Sequence, residues 1–570
     1  MATPTVPVRL AAGALALGLA GALFAGPVAA GRPAPSATLP GAEVTVVRVE
    51  AGTDDDRRRL LGLGLDVVDA DENGAELFLY DDAEAAALRA AGFDPVVVDH
   101  DRSPAALALE ATRAAEERAE ATAATSELPT GRVSYRTLDE IEADLAALEA
   151  AYPDLVRRFA LPHPTLLGRT VYGVEISRDV HAPSGEPVFL TTGVHHAREW
   201  PTAEVTLEFA WDVLQNDGAD ERVTRLLDNT TMIVVPVVNP DGYELSRSLV
   251  NEQKRKNCRV THGAVPTYEQ CADPVNANLG VDLNRNYAPF WGGPGSSGNQ
   301  TASNHYGEAP YSEPEIRNIA ELTAAHQVTV AVHNHSPDGR LLRAPSSPLE
   351  PVPADVEAYD ALAQELGAAL DWPAGPWPDI YYEASGVAEQ NAFYTAGIFG
   401  FTTEMTPGHD GLARFHPPYE YVVDQYFGTG SYPGSSMREA LLIAWDAAAD
   451  PALHSVLTGR AQPGVELTIA KDVVVDSSPV TLPGAGTVVL PTDVSLASTL
   501  TVPASGRFEW HVQPSPRPSQ YESARLPESW TVSCRNRSGR VVHSQQVTVE
   551  RGQSADLDLR RCPAVPPRGR

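Results

Sequence analysis

The sequence predicts an α/β fold, an open doubly wound mixed sheet flanked by helices, preceded by a small α+β domain and followed by a β-sandwich. Three observations carry this. Strand-like runs at Val188 to Thr192, Met232 to Val238 and Val328 to Val332 are separated by helical patterns, and strands interleaved with helices make a largely parallel sheet covered on both faces. Before residue 130, short strands and helices alternate closely. After about Pro451 the pattern changes to short strands broken by Pro, Gly and Ser turns.

In chain order, the first element is a leader. Arg9 follows a short polar start, an apolar run extends from Leu10 to about Phe24, and the small residues Val28, Ala29 and Ala30 suit cleavage after Ala30, so residues 1–30 read as a secretory signal. Residues 31–130 read as a pro-domain with a connecting helix: strand 44–49, helix 55–63, strand 75–80, helix 83–91, strand 95–98, then an Ala-, Glu- and Arg-rich helix over 105–124. That helix holds Arg113 and Arg118, with Arg132 just beyond. Residues 131–450 form the main domain, opened by a capping box of Thr137 and Glu140 ahead of the amphipathic run Leu138 to Tyr152. The sandwich occupies 461–566, with strands at 473–475, 487–490 and 547–550. Its aromatic residues Trp510, Tyr521 and Trp530 read as core rather than as a binding platform.

The chain of 570 residues is long enough for two to four folded units. A net charge of -32 argues against nucleic acid or an anionic membrane surface as partner. Beyond the leader no apolar stretch approaches the roughly 20 residues that cross a bilayer, so a secreted, extracellular protein is expected. Four cysteines fit that compartment, and the closeness of Cys258 to Cys271, with Cys534 and Cys562 near the C-terminus, suggests two local disulfides. Free thiols and a crossed pairing remain as alternatives.

The chemistry begins at Gly193-Val194-His195-His196-Ala197-Arg198-Glu199-Trp200, where a buried strand runs into a helix that Pro201 opens. His and Glu three residues apart in a tight connection reach one ion, and zinc accepts both donor types, keeping a fourth position for water in catalytic sites. A bare His-x-x-Glu is common by chance. The histidines of His333-Asn334-His335-Ser336 share one strand parity, and either suits a third ligand.

The surrounding motifs are more specific. Asn239-Pro240-Asp241-Gly242-Tyr243, Arg255-Lys256-Asn257, Gly280-Val281-Asp282-Leu283-Asn284-Arg285-Asn286, Tyr382 before Ala384-Ser385-Gly386, and Glu404 closing Phe401-Thr402-Thr403 follow in that order. With His196 and Glu199 they resemble the zinc carboxypeptidase family, the pancreatic carboxypeptidases A and B and their secreted bacterial relatives, over roughly Ser134 to Ala448. The resemblance implies a carboxypeptidase-like fold, one Zn2+ ion, and removal of C-terminal residues from peptides and proteins. It implies His196, Glu199 and His335 as ligands, with His333 as a hydrogen-bonded neighbour. Asp282 would orient the first histidine.

Glu404 would be the general base and Arg255 the oxyanion donor. Arg198 would contact substrate carbonyls, and Asn284, Arg285 and Tyr382 would hold the terminal carboxylate. The N-terminal domain would cover the site until an activating protease cuts the connecting helix. Counting from Tyr382 as in the relatives places Glu389 at the base of the side-chain pocket, where an acid favours Lys or Arg. A one-residue shift places Gln390 there instead, and a Glu389 turned elsewhere leaves a pocket for apolar residues. Two other functions share the scaffold: a cell-wall peptidoglycan peptidase, against which Asn284, Arg285 and Tyr382 speak, and a non-catalytic binding protein, against which the intact ligands and Glu404 speak.

Overall fold

Largely apolar runs buried on both faces in the central strands set the architecture. The computed structural model describes residues 44–71, 73–100, 114, 116, 118, 125–182, 184–405, 414–482, 486–536 and 540–562. The leader expected over 1–30 and most of the connecting helix expected over 105–124, Arg113 included, lie outside the described residues; 114, 116 and 118 are helical.

The N-terminal domain is a four-stranded antiparallel sheet of β1 (Thr45–Glu50), β2 (Asp66–Ala70), β3 (Gly74–Leu79) and β4 (Val96–His100), in the order β2-β3-β1-β4. Helices Asp54–Leu61 and Asp82–Ala90 are capped by the side chains of Thr53 and Asp81. The expected elements are all present within two residues, but β2 was not foreseen. Its sequence, Asp-Val-Val-Asp-Ala, carries two acids and a register shift between Val67 and Asp69, so no clean alternation marks it.

The main sheet has eight strands. They are β5 (Val156–Ala160), β6 (Tyr172–Ile176), β7 (Val188–Thr192), β8 (Thr231–Val235), β9 (Val328–His335), β10 (Arg340–Arg343), β11 (Ala374–Pro376) and β12 (Phe399–Glu404), in the order β11-β10-β12-β9-β7-β8-β6-β5. The pairs β7/β8, β7/β9, β9/β12 and β10/β11 are parallel; β5/β6, β6/β8 and β10/β12 are antiparallel. Side chains alternate between faces. Phe189, Met232, Val234 and Val332 enter one core, shared with helices Leu138–Ala151, Trp200–Gln215, Val356–Leu370 and Met437–Ala449. Leu190, Ile233, Val235 and Ala331 enter a second, shared with helices Pro314–Ala325 and Ala388–Ala396. Burying each such side chain contributes about 1.5–3 kcal/mol.

The strand expected to run to Val238 ends at Val235, because Pro236 has no backbone N–H for the ladder. Strand β9 is longer than expected and includes His333 and His335. Because β8 lies on one side of β7 and β9 on the other, the crevice beyond the carboxyl ends of β7 and β9 is the switch point where such sheets bind ligands.

The C-terminal sandwich packs the sheet Arg507–Val512, Ser455–Arg460, Ser554–Asp558 against Pro491–Thr501, Glu466–Asp476, Trp530–Arg535, Val541–Val547. The strand expected at 547–550 is displaced, since its ladder stops at Val547. Trp510 and Trp530 are buried, whereas Tyr521 is exposed and donates its hydroxyl to Asp476. Disulfides join Cys258 to Cys271 and Cys534 to Cys562.

The sandwich core is continuous with the second face of the main sheet. Arg517 Nη1 donates to Tyr394 O at 2.9 Å and Gln513 N to Gln327 Oε1 at 2.9 Å across that join.

Candidate metal centre and active site

Strand β7 delivers the first two candidate ligands through a tightly pinned turn. A Cβ on Gly193 would lie 2.8 Å from both Pro236 O and Thr202 O, so only glycine fits the exit. Val194 then takes φ 51°, a conformation that costs a β-branched residue free energy and persists only where neighbours fix it. They do so here: Val194 N donates to Thr202 Oγ1 at 2.9 Å, and Asn239 N donates to Val194 O at 3.0 Å. The Asn239-Pro240-Asp241-Gly242 motif is part of this support. Asn239 Oδ1 caps helix Pro240–Arg247 by accepting from Gly242 N, and its Nδ2 donates to His195 O.

His196 Nδ1 lies 2.6 Å from Glu199 Oε1, His335 Nδ1 lies 3.1 Å from Glu199 Oε2, and the two Nδ1 atoms are 3.1 Å apart. All three side chains are buried. Two imidazole nitrogens and a carboxylate converging on one point suit a cation held between them. Burial pushes the Glu199 carboxyl up, but the two imidazoles outweigh it and hold the group below its usual range. His333 points elsewhere: its Nδ1 meets Thr192 Oγ1 at 2.9 Å. His195 is also buried beside the cluster, its ring 5.2 Å from that of His335 and its Nε2 2.9 Å from Tyr287 Oη.

Asp282 links two functions. Its Oδ1 lies 2.9 Å from His196 Nε2, fixing which ring nitrogen faces the cluster, and its Oδ2 accepts from Arg255 Nη2 at 2.8 Å. Burial acts against the ionised form of Asp282, yet Arg255, His196 and Arg285 hold its carboxyl well below the usual range. Asn284 Oδ1 accepts from Ala388 N at 2.9 Å. Arg285 is held by Nη1 to Asn284 O at 2.7 Å and Nε to Gly295 O at 3.1 Å.

Glu404 ends β12 directly across from His335 on β9 and from Arg340 on β10. Burial and the carboxylates of Glu199 and Asp338 push it well above the usual carboxylate range, against the lowering effect of Arg255 and Arg340. One cleft is lined by His196, Arg198, Glu199, Arg255, Asn284, Arg285, Tyr382 and Glu404 together.

Glu389 is not among the residues that line this cleft. It is buried, accepting from Thr402 Oγ1 at 2.9 Å and Ser346 Oγ at 3.2 Å, and burial raises its carboxyl. Thr402 is two residues from Glu404 on the same strand face. Gln390 is committed instead to the helix start, accepting from Gly386 N and Val387 N.

The cleft also contains groups that sequence reasoning missed. Val67 and Val68 of β2 line it, as does Phe415. Asp66 of the same strand binds Arg198 at two points, Oδ2 to Nη1 at 2.5 Å and Oδ1 to Nη2 at 2.9 Å, under the rings of Phe415 and Phe78. Arg414 meets Asp69, Glu76 and Asp338. The available sequence signal was the pair of acids in β2, but their partners lie more than a hundred residues away.

A sequence profile of zinc carboxypeptidases matches residues 141–426, half of the chain. The chain belongs to the zinc carboxypeptidase family. It is 28% identical to carboxypeptidase A2 of Rattus norvegicus over 281 residues, 48% of this chain and 62% of that one. It is 29% identical to carboxypeptidase A1 of Mus musculus over 301 residues, 51% of this chain and 66% of that one. The match thus spans less than two thirds of the length of these relatives. In structure it resembles carboxypeptidase A from Helicoverpa armigera, with TM-score 0.59 and 21% identity over 72% of this chain and 98% of that one. It also resembles thrombin-activatable fibrinolysis inhibitor, with TM-score 0.55 and 20% identity over 72% of this chain and 99% of that one. These two likenesses bear on the fold. The family's single zinc ion fits the His196, Glu199 and His335 donors.

Proposed function

We propose that this chain is a secreted zinc metallocarboxypeptidase that hydrolyses the C-terminal peptide bond of peptides and proteins. The observation that carries this reading is the convergence of a His-Glu-His donor set, Glu404, and the Asn284, Arg285 and Tyr382 group in one cleft. Zinc held by His196, Glu199 and His335 supplies Lewis acidity towards water and towards a carbonyl oxygen. Glu404, shielded from solvent and beside the donor set, accepts a proton from the attacking water and returns it to the leaving amine. Arg255 donates to the oxyanion as charge develops, and Asp282 holds it in place. The planar fork of Arg285 pairs with a free terminal carboxylate, restricting cleavage to chain ends.

The N-terminal domain acts as an inhibitory pro-domain on this reading, because β2 occupies the cleft and Asp66 takes the guanidinium of Arg198 that would contact substrate. An activating cut falls in the segment of Arg113 and Arg118. Arg132 suits a cut less well, since its side chain already donates to Ser134 O and to Glu140. Secretion is supported by the pattern of residues 1–30 and by two disulfides.

Glu389, a buried carboxylate with hydroxyl partners close to the strand face that carries Glu404, would give the pocket at least partial tolerance of terminal Lys or Arg, the alternative being a pocket for apolar residues. The test compares matched peptides with free and amidated C-termini, using zinc-loaded chain after limited proteolysis. Only the free acids should be cleaved. Equal turnover of the amides would sink the reading.

A further inference from the structure

We propose that Arg340 and Arg414 form an acid-accepting subsite beside the cleft, so that the enzyme prefers peptides carrying Asp or Glu shortly before the scissile bond. This rests on the reading above, in which the cleft cleaves peptide ends and the N-terminal domain leaves it.

The cleft already holds an extended peptide. Strand β2, Asp66 to Ala70, crosses it with Val67 and Val68 against the lining. At one end Asp66 sits on Arg198. At the other, the two further arginines read both backbone and side chain. Arg414 Nη1 donates to Val68 O at 3.4 Å and lies 3.2 Å from Asp69 Oδ2. Arg340 Nη2 donates to Ala70 O at 2.8 Å, and its Nη1 lies 3.7 Å from Asp69 Oδ1. Glu76, on the neighbouring strand β3, adds a contact of 2.7 Å to Arg414 Nη2. Guanidinium groups suit this dual task, since their planar donors meet carboxylates and carbonyls alike.

Both arginines belong to the catalytic part of the chain and are built into it. Arg340 opens β10 across from Glu404, and its guanidinium lies 4.5 Å from the centre of the Tyr381 ring. Tyr381 in turn donates to Asp338. Asp338 lies 3.5 Å from Arg340 and 3.2 Å from Arg414, and Glu404 stands across from Arg340. Asp69 and Glu76 add two further carboxylates, and both depart with the N-terminal domain. The two largely buried guanidiniums then lose two carboxylate and two carbonyl contacts, while Asp338 stays beside them. An extended peptide with a carboxylate at the matching position replaces them.

The full-length chain, cut by limited trypsin treatment, is assayed on peptides in which Asp, Asn or Lys is placed in turn at each of the three positions before the terminal residue. At one position kcat/KM for Asp should exceed that for Asn by about threefold to tenfold at low salt, with Lys poorer than Asn, and the ratio should shrink at about 0.5 M salt. Arg414→Gln and, separately, Arg340→Gln should each bring the Asp-to-Asn ratio towards one. That ratio is internal to each preparation, so a partly folded variant does not distort it. Asp-to-Asn ratios near one at every position, in enzyme that cleaves the Asn peptides, overturn the subsite. So does an Asp preference that survives both substitutions. Cleavage of none of the peptides refutes the carboxypeptidase reading itself and the subsite with it.

Discussion

Asp66 and Arg198 meet as a two-point ion pair, Oδ2 to Nη1 at 2.5 Å and Oδ1 to Nη2 at 2.9 Å, where the N-terminal domain enters the cleft. Tyr80 Oη donates to the same Asp66 Oδ2 at 2.7 Å. Burial disfavours the ionised Asp66, but Arg198 more than compensates, and its carboxyl lies below the usual value. Removing one partner of a buried pair costs about 3–5 kcal/mol, because the other charge stays behind unpaired. Asp66→Ala is therefore expected to loosen the N-terminal domain and raise the activity of the uncut chain by at least about tenfold. An uncut Asp66→Ala chain as inactive as the parent, yet fully activatable by protease, would show that the pair does not hold the domain in place.

The second expectation separates the metal from the proton carrier. Glu404→Gln keeps the shape of the side chain and leaves the His196, Glu199 and His335 donors untouched, so zinc content should stay at one per chain. Turnover should fall by about 10²–10⁴-fold, the usual contribution of a positioned acid–base group. His335→Ala should lose zinc and activity together, whereas His333→Ala should keep the metal, because His333 bonds to Thr192 instead of facing the cluster. Zinc analysis of the purified variants decides this. Zinc retained in His335→Ala and lost in His333→Ala would reverse the assignment.

Much of this site was legible because its motifs are local. The Gly193 to Trp200 turn carries two candidate ligands within one connection, and the apolar runs of β7 and β8 placed it at a strand end. Asp282, Asn284 and Arg285 likewise share one short 3-10 turn, Leu283–Arg285, which Asp282 caps by accepting from Asn284 N. Parity could not separate His333 from His335, since both side chains leave β9 on the same face; a hydroxyl from β7 makes the distinction, and that contact is long-range. Strand β2 escaped notice for a related reason. Its acids oppose a cleft that exists only once the distant β10 and β12 are in place, and nothing in Asp-Val-Val-Asp-Ala itself encodes that partner.

Glu389 sets the third expectation. Its carboxylate is buried, with Thr402 and Ser346 hydroxyls as donors, and a cationic side chain reaching it from the cleft would supply the charge those hydroxyls lack. Peptides ending in Lys or Arg should be cleaved, and Glu389→Ala should lower their kcat/KM relative to Phe or Leu by about tenfold or more. Gln390→Ala should alter that ratio less, because Gln390 serves the backbone of Gly386 and Val387. Failure to cleave the basic peptides, while Phe and Leu peptides are turned over, would assign the pocket to apolar residues.

Glu84 gives the last expectation, a pH dependence of the uncut chain. Its Oε2 accepts from Tyr80 N at 2.6 Å, beside Asp66. Burial raises its carboxyl from 4.5 to about 7, outweighing the lowering effect of the Tyr80 N–H, and the nearby Asp81 and Asp66 push it further the same way. A carboxyl raised on folding binds more protons in the native state than in the unfolded one between those two values. Its contribution is thus fully present below the unfolded value and declines as pH rises from about 4.5 through about 7. Above that range the native chain must hold a partly buried carboxylate next to Asp66. Glu84→Gln stays neutral at every pH, so the melting temperature of the N-terminal domain should match the parent near pH 5 and exceed it near pH 8. Parallel melting curves for parent and variant across that range would contradict the raised carboxyl.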